Sequence, residues 1–142
     1  MNGVFVDSNV ILRHLGGDVR AKRIVDLVES GEFKGYVNRV VVSEVLYVYV
    51  KLVTGMKSYE LKKKLEVVKQ VDLKHVFKLL SLFEELPSSF EITRIAEEMI
   101  RGYGFLPNDA IIVATCKYYG IGKIATFDDG FKRVDFLEIV RF

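Results

Sequence analysis

Apolar and polar positions along this chain alternate between two rhythms. A short unbroken apolar run at residues 4–6 predicts a buried strand, and residues 123–127 predict another. Longer stretches carry apolar residues three and four apart and predict helices. Asp7, Ser8 and Asn9 are all good capping types, so a helix over about residues 10–15 follows the first strand. Gly16-Gly17-Asp18 breaks that helix and caps the next, where Ala21, Ile24, Val25, Leu27 and Val28 recur at helical spacing up to Gly31. A brief strand is expected at Tyr36 and Val37, and a last one over residues 137–140, after a turn at Asp128-Asp129-Gly130.

The middle of the chain is helical by the same reasoning. Residues 39–54 are rich in valine and tyrosine, which favour strands, but the run is too long for a strand and stops at Gly55. It reads as a buried helix. Residues 58–70 predict one amphipathic helix with Ser58 as cap and Leu61, Leu65 and Val68 on a shared face. Residues 72–86 predict another, closed by Pro87, and residues 91–103 a third, ending before Gly104. Pro107 and Asn108 open a helix running to Tyr119, proline suiting a first turn and asparagine a cap. Short strands separated by long helical crossovers imply an α/β fold with a parallel sheet covered by helices.

Composition narrows the classes. A chain of 142 residues is expected to form a single domain over residues 1–142, with a substantial core. Half the residues are hydrophobic and 28% charged, against wholesale disorder. The lone Cys116 excludes an internal disulfide, and two histidines, His14 and His75, do not make a Cys/His zinc cluster. No stretch reaches the apolar length of a membrane span, because Glu44 interrupts the longest, and no basic leader precedes an apolar core near the start. A cytoplasmic protein without a membrane partner is the expectation. The net charge of +2 neither requires nor excludes a nucleic-acid partner.

The chemistry lies in carboxylates delivered by apolar segments. Asp7 follows Val4-Phe5-Val6, Asp109 follows Leu106-Pro107-Asn108, Asp128 follows Ile124-Ala125-Thr126-Phe127, and Glu44 lies within the run 40–50. An unpaired charge in such surroundings costs several kcal/mol, on the order of the penalty for any buried ion. Taken singly, Asp7 and Asp109 could merely cap helices, Asp128 and Asp129 could make a turn, and Glu44 could be half-exposed. Taken together, if they meet at about 5 Å, they repel by about 3 kcal/mol per pair at an effective dielectric near 20. They would then need a cation or take up protons. Oxygen donors of this kind select Mg²⁺ or Mn²⁺ over zinc.

Four ordered blocks resemble a known family. Val4-Phe5-Val6-Asp7-Ser8-Asn9, Val42-Ser43-Glu44-Val45, Asn108-Asp109-Ala110-Ile111-Ile112-Val113-Ala114-Thr115 and Ala125-Thr126-Phe127-Asp128-Asp129-Gly130-Phe131 look like the signatures of PIN-domain nucleases. The small VapC-type toxin ribonucleases are the subgroup they resemble most. The third and fourth blocks are the specific ones. The resemblance implies a three-layer α/β/α sandwich with a central parallel sheet. It also implies that Asp7, Glu44, Asp109 and Asp128 are catalytic and bind Mg²⁺ or Mn²⁺, with Ser8, Asn9 and Thr126 as polar supports. Asp129 is either a further ligand or a turn residue. The implied reaction is metal-assisted hydrolysis of RNA, by in-line attack that leaves a 5′-phosphate and a 3′-hydroxyl. The implied partners are an RNA substrate, a small antitoxin protein and a second copy of the chain in a homodimer.

Rival readings fit the residues less well. A haloacid-dehalogenase phosphatase needs an aspartate two positions after the first, where this chain has Asn9. A receiver domain wants an acidic pair after its first strand and a central aspartate. An RNA-processing PIN nuclease without an antitoxin, or a non-catalytic PIN-like module, are the alternatives within the family. Arg13, Arg39 and Arg101 are candidate phosphate contacts, since guanidinium matches phosphate oxygens in a fork, while surface ion pairs or solvated charges are the ordinary expectation for each; Arg13 is carried as the substrate-binding candidate. Lys62-Lys63-Lys64 reads as a solvated helix face, and Tyr47, Tyr49 and Val53 as core or part of a dimer face.

Overall fold

A buried strand covered on both faces needs no alternation of polar and apolar residues, and the first strand has none. In the computed structural model, which describes residues 2–141, β1 (Gly3–Val6) runs through the centre with Val4, Phe5 and Val6 all fully buried. β2 (Lys34–Val37) and β4 (Lys123–Ala125) flank it, β3 (Glu84–Glu85) and β5 (Glu138–Val140) form the edges, and every pairing is parallel in the order β3-β2-β1-β4-β5. Helices on both sides complete a three-layer α/β/α sandwich. The chain winds outward from β1 to β3, then returns to the other side of β1 for β4 and β5. That reversal places a crevice at the carboxyl ends of β1 and β4, where open α/β sheets bind ligands. Val6 pairs with Ala125 there.

The helices are α1 (Ser8–Leu15), α2 (Val19–Glu29), α3 (Arg39–Thr54), α4 (Ser58–Leu61), α5 (Leu65–Lys69), α6 (Lys74–Leu80), α7 (Phe90–Tyr103) and α8 (Pro107–Tyr119). Asp18 caps α2 as expected, its carboxylate accepting from the N–H groups of Arg20 and Ala21. α8 is buried on nearly all sides through Ala110, Ile112, Val113, Ala114, Thr115 and Cys116, which makes it a core helix with little amphipathic contrast.

Several expectations need correction. The helix over 58–70 is two short helices broken at the three lysines, because Leu65 and Val68 are exposed and no buried face holds the pieces in line. Lys62, Lys63 and Lys64 therefore form the break rather than a helix face. The helix over 72–86 ends at Leu80, and the chain then adds β3, an edge strand of two exposed glutamates with no apolar signature. Glu84 pairs with Lys34 and Glu85 with Arg39, and Leu86 N–H donates to Val37 at 2.8 Å. α3 is helical but only its first half is buried, at Val41 and Val45; Tyr47, Leu52 and Val53 face outward. Asn108 does not cap α8. Leu106 holds that position without a side-chain bond, and Asn108 lies inside the first turn. The turn after Asp128 continues as a 3-10 helix, Asp129–Arg133.

Candidate active site

Asp7 leaves the end of β1 and becomes the N-cap of α1. Its Oδ1 accepts from Ser8 N–H at 2.8 Å, and its Oδ2 accepts from Thr126 Oγ1 at 2.8 Å and Asn9 Nδ2 at 3.3 Å. The carboxylate is 5% exposed. Burial pushes its pKa from 3.8 up to about 6, and the negative charges of Asp109 and Glu44 add to the rise against the pull of Thr126 and Ser8. Thr126, just beyond β4, is buried and also accepts from Asn9 Nδ2 at 3.2 Å and Asp128 N–H at 3.0 Å. Asn9 completes the circuit by accepting from Phe127 N–H at 3.2 Å.

The other acids come from three separate elements. Glu44 lies on α3, half-buried, and accepts from Ser8 Oγ at 3.3 Å. Burial and the charge of Asp109 raise its pKa, while the Ser8 hydroxyl and the Asn108 amide oppose the rise. Asp109 sits in the first turn of α8, where the helix dipole favours a carboxylate. Even so, burial and then the charge of Asp128 raise its pKa, and Arg133 offsets part of this. Asp128 is exposed, and its Oδ1 accepts from Gly130 N–H at 2.8 Å. Among the described residues none of these four acids makes an ion pair. Their charges act on one another, and Arg133 alone offsets part of the cost, at Asp109.

The PIN domain family model matches residues 4–137, a span that takes in all four acids. The chain belongs to the PIN domain family. Ribonuclease VapC2 of Methanocaldococcus jannaschii is 48% identical to it over 139 residues, 98% of this chain and 93% of the relative. Ribonuclease VapC6 of the same organism is 35% identical over 152 residues, 99% of this chain and 97% of the relative. Among solved structures, a chain of a toxin–antitoxin complex from Klebsiella pneumoniae superposes with a TM-score of 0.67 at 19% identity, covering 96% of this chain and 95% of its own. That likeness shows the shared fold.

In this PIN domain the oxygen-only donor set suits a hard divalent cation. Among the described residues no three acidic, histidine or cysteine side chains stand close enough to grip an ion together. Mg²⁺ tolerates this, because it retains waters and is commonly held by one or two carboxylates plus substrate phosphates. Asp129 is engaged elsewhere: Arg141 Nη2 donates to its Oδ1 and Lys132 Nζ lies 3.5 Å away, and Arg141 foremost holds its carboxyl below the usual range. Arg13 lies over the Phe127 ring beside the site, 4.2 Å from its centroid.

Three contributors escaped the sequence reading. Asn108 faces Glu44. Arg133 reaches Asp109 with its charge while resting on Phe105 at 4.6 Å and donating to Tyr103 O at 3.3 Å. Asn38, the N-cap of α3, donates from Nδ2 to Thr115 Oγ1 of α8 at 3.0 Å, tying the helix of Glu44 to the helix of Asp109. Only the Asn38 cap had a local signal, an asparagine ahead of a long apolar helix.

Proposed function

We propose that this PIN domain is a divalent-cation-dependent endoribonuclease and the toxin of a toxin–antitoxin pair. Asp7, Glu44, Asp109 and Asp128 are its catalytic and metal-binding carboxylates, and Mg²⁺ or Mn²⁺ its cofactor. The observation that carries this reading is the raised pKa of Asp7, Glu44 and Asp109 in one crevice, with burial and mutual repulsion unrelieved by any ion pair among the described residues. Acids so arranged fit a bound cation, which would relieve both costs. The ribonuclease names of the relatives support RNA as substrate, and the Klebsiella complex supports an antitoxin partner.

When bound, the cation supplies charge neutralisation at the phosphoryl oxygens and a water acidified enough to attack. The chain supplies placement. Thr126, Asn9 and the Ser8 N–H fix the Asp7 carboxylate in one rotamer, the Ser8 hydroxyl orients Glu44, and the first turn of α8 aims Asp109 into the crevice. Such preorganised groups stabilise charge without rearranging during reaction. No serine, cysteine or histidine serves as nucleophile in this scheme. Cys116 is buried and its thiol is held strongly protonated by burial.

The proposal extends to a homodimer in the cytoplasm. The exposed Tyr47, Leu52 and Val53 of α3 supply apolar surface of the kind that associates. Among the described residues no helix is long and apolar enough to cross a membrane.

The test is cleavage of a random-sequence single-stranded RNA pool with Mg²⁺ or Mn²⁺, with and without chelator. Cleavage should need the metal, and Asp7→Asn and Asp109→Asn should each lower it by about 10²–10³-fold, the scale of losing a preorganised electrostatic group. Wild-type rates in either variant would dismiss the site.

A further inference from the structure

Two arginines from different helices converge on one aromatic ring beside the acids. The guanidinium carbon of Arg13, on α1, lies 4.2 Å from the Phe127 centroid, and that of Arg20, on α2, lies 4.9 Å from it. Two like charges gathered on one ring repel, and the protein offers them a single anion, Asp18. Its Oδ2 is 4.0 Å from Arg13 Nη1 and 3.5 Å from Arg20 Nη2. Asp18 is itself fixed, its Oδ1 capping α2. One positive charge is left over, and the side chains remain 47% and 53% exposed, with N–H groups open to solvent.

The cluster is also held in register with the acids. Phe127 N–H donates to Asn9 Oδ1, the same asparagine that donates to Asp7, and Asp128 is the next residue along the chain. Four acids repel a polyanion as it approaches, so a phosphate backbone needs a cationic hold adjacent to them. Arginine on an aromatic ring supplies one, since its fork stays oriented and matches phosphate oxygens.

We propose that Arg13 and Arg20, held on Phe127, form a phosphate subsite that binds a backbone phosphate of single-stranded RNA flanking the one cleaved. This rests on the endoribonuclease reading above. The subsite acts in positioning, so its loss should appear in KM and in salt dependence far more than in kcat.

The experiment measures binding of a short fluorescent random-sequence single-stranded RNA in an Asp109→Asn background across a salt series, and cleavage in the active protein. Arg13→Gln combined with Arg20→Gln should flatten the slope of log affinity against log salt by about 0.7, the value for one single-strand phosphate contact. Together they should raise KM at least about tenfold while leaving kcat within about threefold. Arg13→Lys with Arg20→Lys should restore most of the salt slope, which a mere helix staple would not do. Wild-type cleavage with an unchanged slope in the double Gln variant overturns the subsite, whether the arginines then staple α1 to α2 or receive an acidic protein segment. An arginine-dependent slope without wild-type cleavage supports the subsite and overturns the nuclease reading instead.

Discussion

Thr126 Oγ1 donates to Asp7 Oδ2 at 2.8 Å although the two residues lie 119 positions apart. The same oxygen accepts from Asn9 and from Asp128 N–H, so the proton and both lone pairs of one hydroxyl are in use. It ties the ends of β1 and β4 to the loop that carries Asp128. Thr126→Val keeps the shape and removes all three bonds. It should cost about 1–3 kcal/mol in urea unfolding and lower RNA cleavage by about 10–100-fold, whereas Thr126→Ser should retain most of both. A valine variant with wild-type activity would remove the hydroxyl from the account.

Asp7 makes the metal-free protein sensitive to pH. Its folded pKa, about 6, stands above the unfolded value of 3.8. The folded state therefore binds the proton more tightly, and the associated stability is present below about pH 4 and lost as pH rises through 6. The loss amounts to about 3 kcal/mol at pH 8, from the shift alone. In chelator, Asp7→Asn should exceed wild type by about 1–2 kcal/mol at pH 8, less than the full amount because the amide leaves donors facing each other. At pH 4 the advantage should vanish. Thermal unfolding across pH reads this directly, and a variant no more stable than wild type at pH 8 contradicts it.

Divalent cation should reverse that order. Saturating Mg²⁺ or Mn²⁺ should raise the melting temperature of wild type, because a ligand that binds only the folded state stabilises it by mass action. The Asp7→Asn protein should respond weakly or not at all. Wild-type cleavage should fall as pH drops below 6, as protons compete for the Asp7 carboxylate.

The bond between Asn38 and Thr115 is buried and joins α3 to α8. Thr115→Val leaves the Asn38 amide without its partner in the core, at a cost of about 1–3 kcal/mol. Asn38→Ala also removes the cap that accepts from Val41 N–H, so it should cost about 1 kcal/mol more. Equilibrium unfolding of the two variants and their double mutant would give the coupling. Purely additive losses would argue against it.

Gly35 in β2 lies tight against Phe83 and Val28. A Cβ there would lie 2.7 Å from Phe83 Cδ1 and 2.9 Å from Val28 Cγ1. Gly35→Ala should therefore cost about 1–3 kcal/mol through overpacking, despite the better strand propensity of alanine. Unchanged urea midpoints would show that Phe83 and Val28 yield freely.

Much of the frame was legible because its signals are local. Val4-Phe5-Val6 and Ile124-Ala125 read as buried strands from a few consecutive apolar residues, and Pro107 marked the start of α8. The limits of this reading are equally physical. β3 consists of two exposed glutamates whose only strand character is their pairing with Tyr36 and Val37, which no local pattern announces. Tyr47, Leu52 and Val53 are apolar yet exposed, which the apolar composition of α3 does not announce.

The same division runs through the site. Neighbouring residues along the chain were enough to mark acids at strand ends and a helix start, to make their donors all oxygen, and to order them in a PIN-like series. Their mutual electrostatics come from packing. The register of Val6 with Ala125 brings Asp7 to Thr126, and α3 and α8 bring Asp109 near enough to raise the pKa of Glu44, and both acids near enough to raise that of Asp7. Asp128 and Asp129 are chemically identical and adjacent. One has its backbone N–H bound to Thr126 and its charge felt by Asp109, while Arg141 and Lys132 engage the other. That distinction rests on charges meeting across space, since Coulomb interactions follow distance and burial rather than sequence separation.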